Sequence, residues 1–245
     1  TYQLHLQKGY DIMKLFNRLN SHQPLSPMER RDNNNRLIQE MGISCLENLP
    51  VLESSEEVQL KEVDIIIKRA IACLLVIQLA CDICGNGDYQ ESKSIISDLL
   101  KKFQVEECLL SHEQRLFDQD YTEQDAVNVA WTYECYWSLI WALGLIEDDD
   151  LKVPNTICDC DRAINFVKNC NNFKEFKDKT KLRSIEEILD MTDLYYRYHW
   201  ACVEKSINPQ TNIGDLNSEV VLERRKGLEW LISTKDDWNE ISLDT

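Results

Sequence analysis

Residues 184–207 read SIEEILDMTDLYYRYHWACVEKSI, and they carry a whole helix in local code. Ser184 with Glu187 three positions on is a capping box, in which each side chain satisfies a backbone amide that the first turn leaves free. Ile188, Leu189, Thr192, Tyr195, Tyr196 and Val203 follow at helical spacing. Asn208-Pro209 then breaks the chain, since proline has no amide to donate and its ring clashes with the preceding turn.

The same signals recur outward from that stretch. Ser26-Pro27-Met28-Glu29 is a second capping box with proline at the first helical position, and Gly42 stops the helix it opens. Ser54-Ser55-Glu56-Glu57 predicts a helix running to Cys84, ended by Gly85-Asn86-Gly87. Two shorter helices fill residues 88–118, and Thr122 caps another that passes through an aromatic stripe to Gly144. Asp148-Asp149-Asp150 and Pro154 predict a loop, 159–170 a short helix, and 171–182 a lysine-rich connection. The last helix runs from about Asn217 to Ser233. Nowhere does period-two alternation with β-branched residues persist, and seven glycines and five prolines in 245 residues leave little material for turn-rich β folds. The expected fold is all-α: one compact multi-helix domain over residues 1–245, with little or no strand and an internal seam near 151–182.

A net charge of −16 repels phosphate backbones and anionic membranes, so the expected partners include neither nucleic acid nor membrane. The longest apolar run, Ala70 to Cys81, is too short to span a bilayer and contains Gln78. The amino-terminal TYQLHLQKGYDIMKLF shows no basic-then-apolar leader pattern. Ten cysteines in a chain of this length are too sparse for a disulfide scaffold, which predicts a reduced, cytoplasmic protein with thiols used as small core residues.

Familiar catalytic strings are absent. Gly85-Asn86-Gly87 lacks the lysine of a phosphate loop, and His112-Glu113 lacks the second histidine of a zinc helix. With only His5, His22, His112 and His199 in the chain, a multi-histidine metal site is not expected. Cys81-x-x-Cys84 and Cys158-x-Cys160 could together make a thiolate zinc site, but Cys81 and Cys84 sit at helical spacing in an apolar helix end and read better as packing residues. No metal and no cofactor is expected.

The informative residues are charges placed where a core should be. Glu134 is the only charged residue between Asp125 and Glu147, in the stripe of Ala126, Ala130, Tyr133, Trp137, Ile140 and Trp141. A carboxylate there must find a cationic partner or stay protonated. Arg69 and Arg224 also face apolar stripes, and Arg69, Arg197 and Arg224 are the candidate partners of Glu134. On the helix from Ser184, Asp190, Asp193, Arg197 and Glu204 form one stripe in which Asp193 and Arg197 can pair, while His199 lies on the apolar stripe.

These helices carry a recognisable pattern: Asp193-Leu194-Tyr195-Tyr196-Arg197-Tyr198-His199-Trp200-Ala201, Glu223-Arg224-Arg225-Lys226-Gly227-Leu228-Glu229-Trp230-Leu231, Asp237-Trp238 and Leu243-Asp244-Thr245. Shorter strings precede it: Arg36 with Gly42-Ile43 and Leu49-Pro50, Arg69-Ala70, and Glu134 with Leu139 to Gly144. Over about residues 36–245 the chain resembles the domain of unknown function 4272 family, although it has Trp238-Asn239 where the pattern implies Trp-Asp. The resemblance implies a bacterial-type, mainly helical intracellular domain and carries no activity. It favours Arg69, Glu134, Asp193, Arg197, His199, Glu223 and Arg224, which with Arg183 and the Asp190 of the polar stripe are the candidate polar-core or pocket residues, with no catalytic residue named.

Two functions remain in view. One is a protein-interaction module whose acidity draws in a basic protein, such as a toxin nuclease. The other is a small-molecule or anion site, hydrolytic in one version, in which Glu134 balances or activates beside Arg69, Arg183, Arg197, His199 and Arg224. Geometry separates them: an open pocket at Glu134 favours the second, a sealed ion pair the first. Oligomeric state is not encoded in any pattern found.

Overall fold

The computed structural model describes residues 24–245. The amino-terminal stretch tested for a leader, with His5 and His22, lies outside the described residues. The fold is all-α: among the described residues there is no β-strand. Its helices are α1 (Pro27–Glu40), α2 (Val63–Cys84), α3 (Tyr89–Phe103), α4 (Ser111–Phe117), α5 (Glu123–Trp131) and α6 (Tyr133–Ala142), followed by α7 (Asp149–Lys152), α8 (Cys160–Lys168), α9 (Phe173–Lys177), α10 (Ile185–Ile207) and α11 (Ser218–Ile232). Short 3₁₀ turns cover Glu106–Cys108 and Trp238–Glu240.

Packing follows from which faces are apolar. α2 is apolar on nearly every side, so it is buried almost throughout and serves as the floor for α3, α5, α6 and α8. α11 lies between α6 and α10, and α10 carries α1 on its far side. The crossing of α11 on α6 is close because Gly227 has no side chain: a Cβ there would stand 2.8 Å from the Cys135 carbonyl oxygen and 3.0 Å from Ser138 Cβ. Among the described residues no helix is long and apolar enough to cross a membrane.

Several sequence expectations need correcting. Ser54 and Glu57 make half of a capping box, Ser54 N and Oγ donating to Glu57 Oε2 at 2.9 and 2.8 Å while the Glu57 amide donates to the Ser54 carbonyl (3.0 Å), but this closes a single turn and α2 begins only at Val63. The chain between is held extended because the Lys61 amide donates to Leu231 O (2.9 Å), a carbonyl at the end of α11 that its own helix cannot satisfy. The helix predicted from Thr122 to Gly144 is two helices. At Thr132 the backbone hydrogen bond shortens to Val129 O (3.0 Å) and the hydroxyl takes the same carbonyl (2.6 Å), which interrupts the ladder. α7 and α9 are short helices inside stretches expected to be loop and connection.

Candidate functional site

Glu134 enters α6 two residues after the Thr132 break, on the side facing α11, and is 1% exposed. Arg224 projects from α11 to meet it, with Nε 2.7 Å from Oε2. The other carboxylate oxygen, Oε1, accepts the Cys158 backbone amide at 2.6 Å. The remaining guanidinium donors are used as well: Nη1 reaches Leu151 O (3.3 Å) and Tyr195 OH (3.4 Å), and Nη2 reaches Thr156 O (3.3 Å). Tyr195 in turn donates to Leu151 O at 2.6 Å. Burial pushes the Arg224 pKa down, yet Tyr195 and Glu134 beside it leave it above the ordinary value, so the guanidinium stays charged. One ion pair thus ties α6, α10, α11 and the loop before α8. Of the three arginines that sequence offered, Arg224 is the partner.

A second network lies between α1, α10, α11 and the carboxyl-terminal tail. Asp193 and Arg197 pair in a fork, Nε to Oδ2 at 2.8 Å and Nη2 to Oδ1 at 2.7 Å, and Asn34 of α1 donates to the same Oδ2 (2.8 Å). Arg30, 1% exposed, binds Asp190 (3.0 Å) and Glu186 (3.4 Å). Burial, with Asp193 and Glu186 nearby, pushes the Asp190 pKa up to about 6 against the pull of Arg30. Arg225 binds Glu229 (3.2 Å), the carbonyls of Leu243 (3.0 Å) and Asp244 (3.3 Å), and His199 Nδ1 (2.6 Å). An arginine can only donate, so Nδ1 accepts and the histidine is neutral. Burial and the Arg225 charge push its pKa down to about 4.

The other candidates sit apart. Arg69 forks onto Glu113 at 2.7 and 2.9 Å beneath the Trp238 ring. Arg183 caps the end of α6, donating to Trp141 O (2.9 Å) and Ile146 O (3.0 Å) with its plane over the Trp141 ring. Glu223 accepts from Lys226 (2.6 Å) and from the Cys135 thiol (3.2 Å). Arg69, Arg183, Arg197 and His199 make no hydrogen bond to the Glu134–Arg224 pair. Sequence reasoning missed Arg30, Glu113 and Arg225 as buried charges. The signals were present: Arg225 is in helical step with Val221 and Leu228, Arg30 with Asn34 and Ile38, and Glu113 stands three residues after Leu110, whose amide it binds at 2.9 Å.

Concavity lies on the outer side of α6. A cleft of about 320 Å³ opens between α5 and the start of α8, walled by Val127, Ala130, Trp131, Tyr133, Ile157 and Cys160. Cys84 and Glu134 complete the wall, Glu134 with its carboxylate turned inward to Arg224. Val127, Trp131 and Ile157 are all solvent-exposed. Exposed acidic residues neighbour the lining in sequence: Glu123 is one turn before Val127 on α5, and Asp159 and Asp161 flank Cys160. Asp82, two residues before Cys84, is also exposed and accepts from the Ser92 hydroxyl of α3 at 2.7 Å. All ten cysteines are free thiols. Burial, with Cys84 and Cys160 close by, pushes the Cys81 thiol up to about 11, and burial pushes Cys158 up further, so both are protonated at neutral pH. Among the described residues no group of three or more His, Cys, Asp or Glu is placed to hold a metal ion.

The family model described as Domain of unknown function (DUF4272) matches residues 30–241. The chain belongs to this family. The match takes in the Glu134–Arg224 network, the whole cleft and the second network apart from Leu243 and Asp244, running over 30–241 rather than about 36–245. No curated protein and no solved structure matches the chain.

Proposed function

We propose that the chain is a protein-interaction module, and that the cleft between α5 and α8 takes a cationic amphipathic segment of a basic partner protein. The observation that carries this reading is the combination of exposed Trp131, Val127 and Ile157 in one concave wall with the exposed carboxylates Glu123, Asp159 and Asp161 next to the lining residues in sequence. Apolar anchors in a pocket supply affinity, and opposite charge at the rim supplies rate and selectivity. The sealed Glu134–Arg224 pair supports it from the other side, because the guanidinium that an anionic ligand would need is occupied by the protein. The free, protonated thiols suit a reducing, cytoplasmic setting, and the −16 charge disfavours nucleic acid as partner.

The test is titration with a synthetic lysine–leucine amphipathic helix. Saturable binding is expected, weakened roughly tenfold or more by Trp131→Ser. A matched peptide with glutamate for lysine should not bind. Equal affinity for both peptides, or indifference to Trp131→Ser, would overturn the reading.

A further inference from the structure

We infer that a second cavity, between α2, α3 and α8, is a binding site for a short fatty carboxylate, its alkyl tail inside and its carboxylate held by Lys102 and Lys168. Both α3 and α8 rest on α2 while making little contact with each other, so their apolar faces diverge and leave a wedge over Leu75. The space is about 240 Å³ and more enclosed than the Trp131 cleft. Leu75, Ile96, Phe103 and Val167, all buried, form its inner wall with the partly buried Ile164. A smaller engineered apolar cavity of roughly 150 Å³ stays dry and takes benzene, whereas drug-sized ligands need about 300 Å³ or more. The wedge lies between these, which suits one medium-length alkyl chain.

The rim specifies the head group. No carboxylate lines the cavity, although the chain has 43 acidic residues against 27 basic ones. Its two charged lining residues are both lysines, Lys102 in the last turn of α3 and Lys168 in the last turn of α8. Both are exposed, and among the described residues neither forms an ion pair. An apolar slot alone would take any hydrocarbon. Two ammonium groups at its mouth select an anion joined to a tail.

Calorimetric titration with octanoate, octanol and acetate tests this on the full chain. Octanoate should bind at one site, octanol about tenfold more weakly for want of the ion pairs, and acetate not measurably. Replacing both lysines (Lys102→Ala with Lys168→Ala) should bring octanoate affinity down to that of octanol and leave octanol unchanged. These positions are on the surface, so the fold is not at stake. Ile164→Phe should fill the wedge and abolish binding of both, while Trp131→Ser should change neither. Equal octanoate and octanol affinities in the native chain, octanoate binding that survives Ile164→Phe, or binding lost in Trp131→Ser would each overturn the inference.

Discussion

Glu134 is 1% exposed and its carboxylate is taken up by Arg224 and the Cys158 amide, which fixes what its loss does. Glu134→Gln removes one charge of a pair buried at both ends and leaves the Arg224 guanidinium with only neutral acceptors. We expect stability to fall by roughly 3–5 kcal/mol in urea unfolding, and a loss below about 1 kcal/mol would mean that water reaches the pair. Asp190 and His199 give opposite pH dependences. The folded-state pKa of Asp190 is raised to about 6, so the native state holds the extra proton and its contribution is lost as pH rises from about 4 to 6. That of His199 is lowered to about 4, so the unfolded state holds the extra proton and its contribution is gained as pH rises from 4 toward about 6.5. In the native chain the two slopes oppose each other over this window. Asp190→Asn should therefore tilt the stability profile upward with pH, and His199→Gln should tilt it downward. Identical profiles in the two variants, followed by thermal unfolding across that range, would refute the assignment.

At the scale of helices, the tightest joint is α11 on α6. Alanine at Gly227 would gain helix propensity in isolation, but its Cβ would meet backbone atoms of Cys135 that cannot swing aside. Gly227→Ala should cost about 1–3 kcal/mol through separation of the two helices, and a neutral or stabilising effect in chemical unfolding would contradict that crossing. Helix starts at Ser26, Ser184 and Asn217 were legible in the sequence because a cap is a bond between residues two or three apart. The Ser54 box was equally legible and still misleading. Its turn forms, but whether it grows depends on the Lys61 amide finding Leu231 in a distant helix. Glu134 shows the same division. Periodicity placed it in the core and required either a cationic partner or a proton, yet choosing Arg224 over Arg69 or Arg197 required the packing of α11. Neither the cleft nor the wedge was visible, since each is a gap between helices that share a floor but diverge from one another.

Across the whole molecule the −16 charge acts at distances that no single contact reaches, and this separates approach from retention. A cationic partner should associate quickly at low ionic strength. As salt shortens the screening length to about 8 Å, the far charges drop out and only the rim around Trp131 still acts. The on-rate measured by stopped flow should fall about tenfold or more between low and physiological ionic strength, while the off-rate moves little. Two sets of variants resolve the terms. Trp131→Ser removes an apolar anchor and should raise the off-rate without altering the salt dependence of association. Neutralising the rim with Glu123→Gln, Asp159→Asn and Asp161→Asn should slow association and flatten its salt dependence, leaving the off-rate nearly unchanged. Asparagine at position 159 still accepts from the Arg162 amide, so α8 keeps its cap and the effect is one of charge. An on-rate constant across that range would mean that the acidity serves solubility alone, and it would remove the electrostatic half of the proposed recognition while leaving the apolar cleft to stand or fall on Trp131.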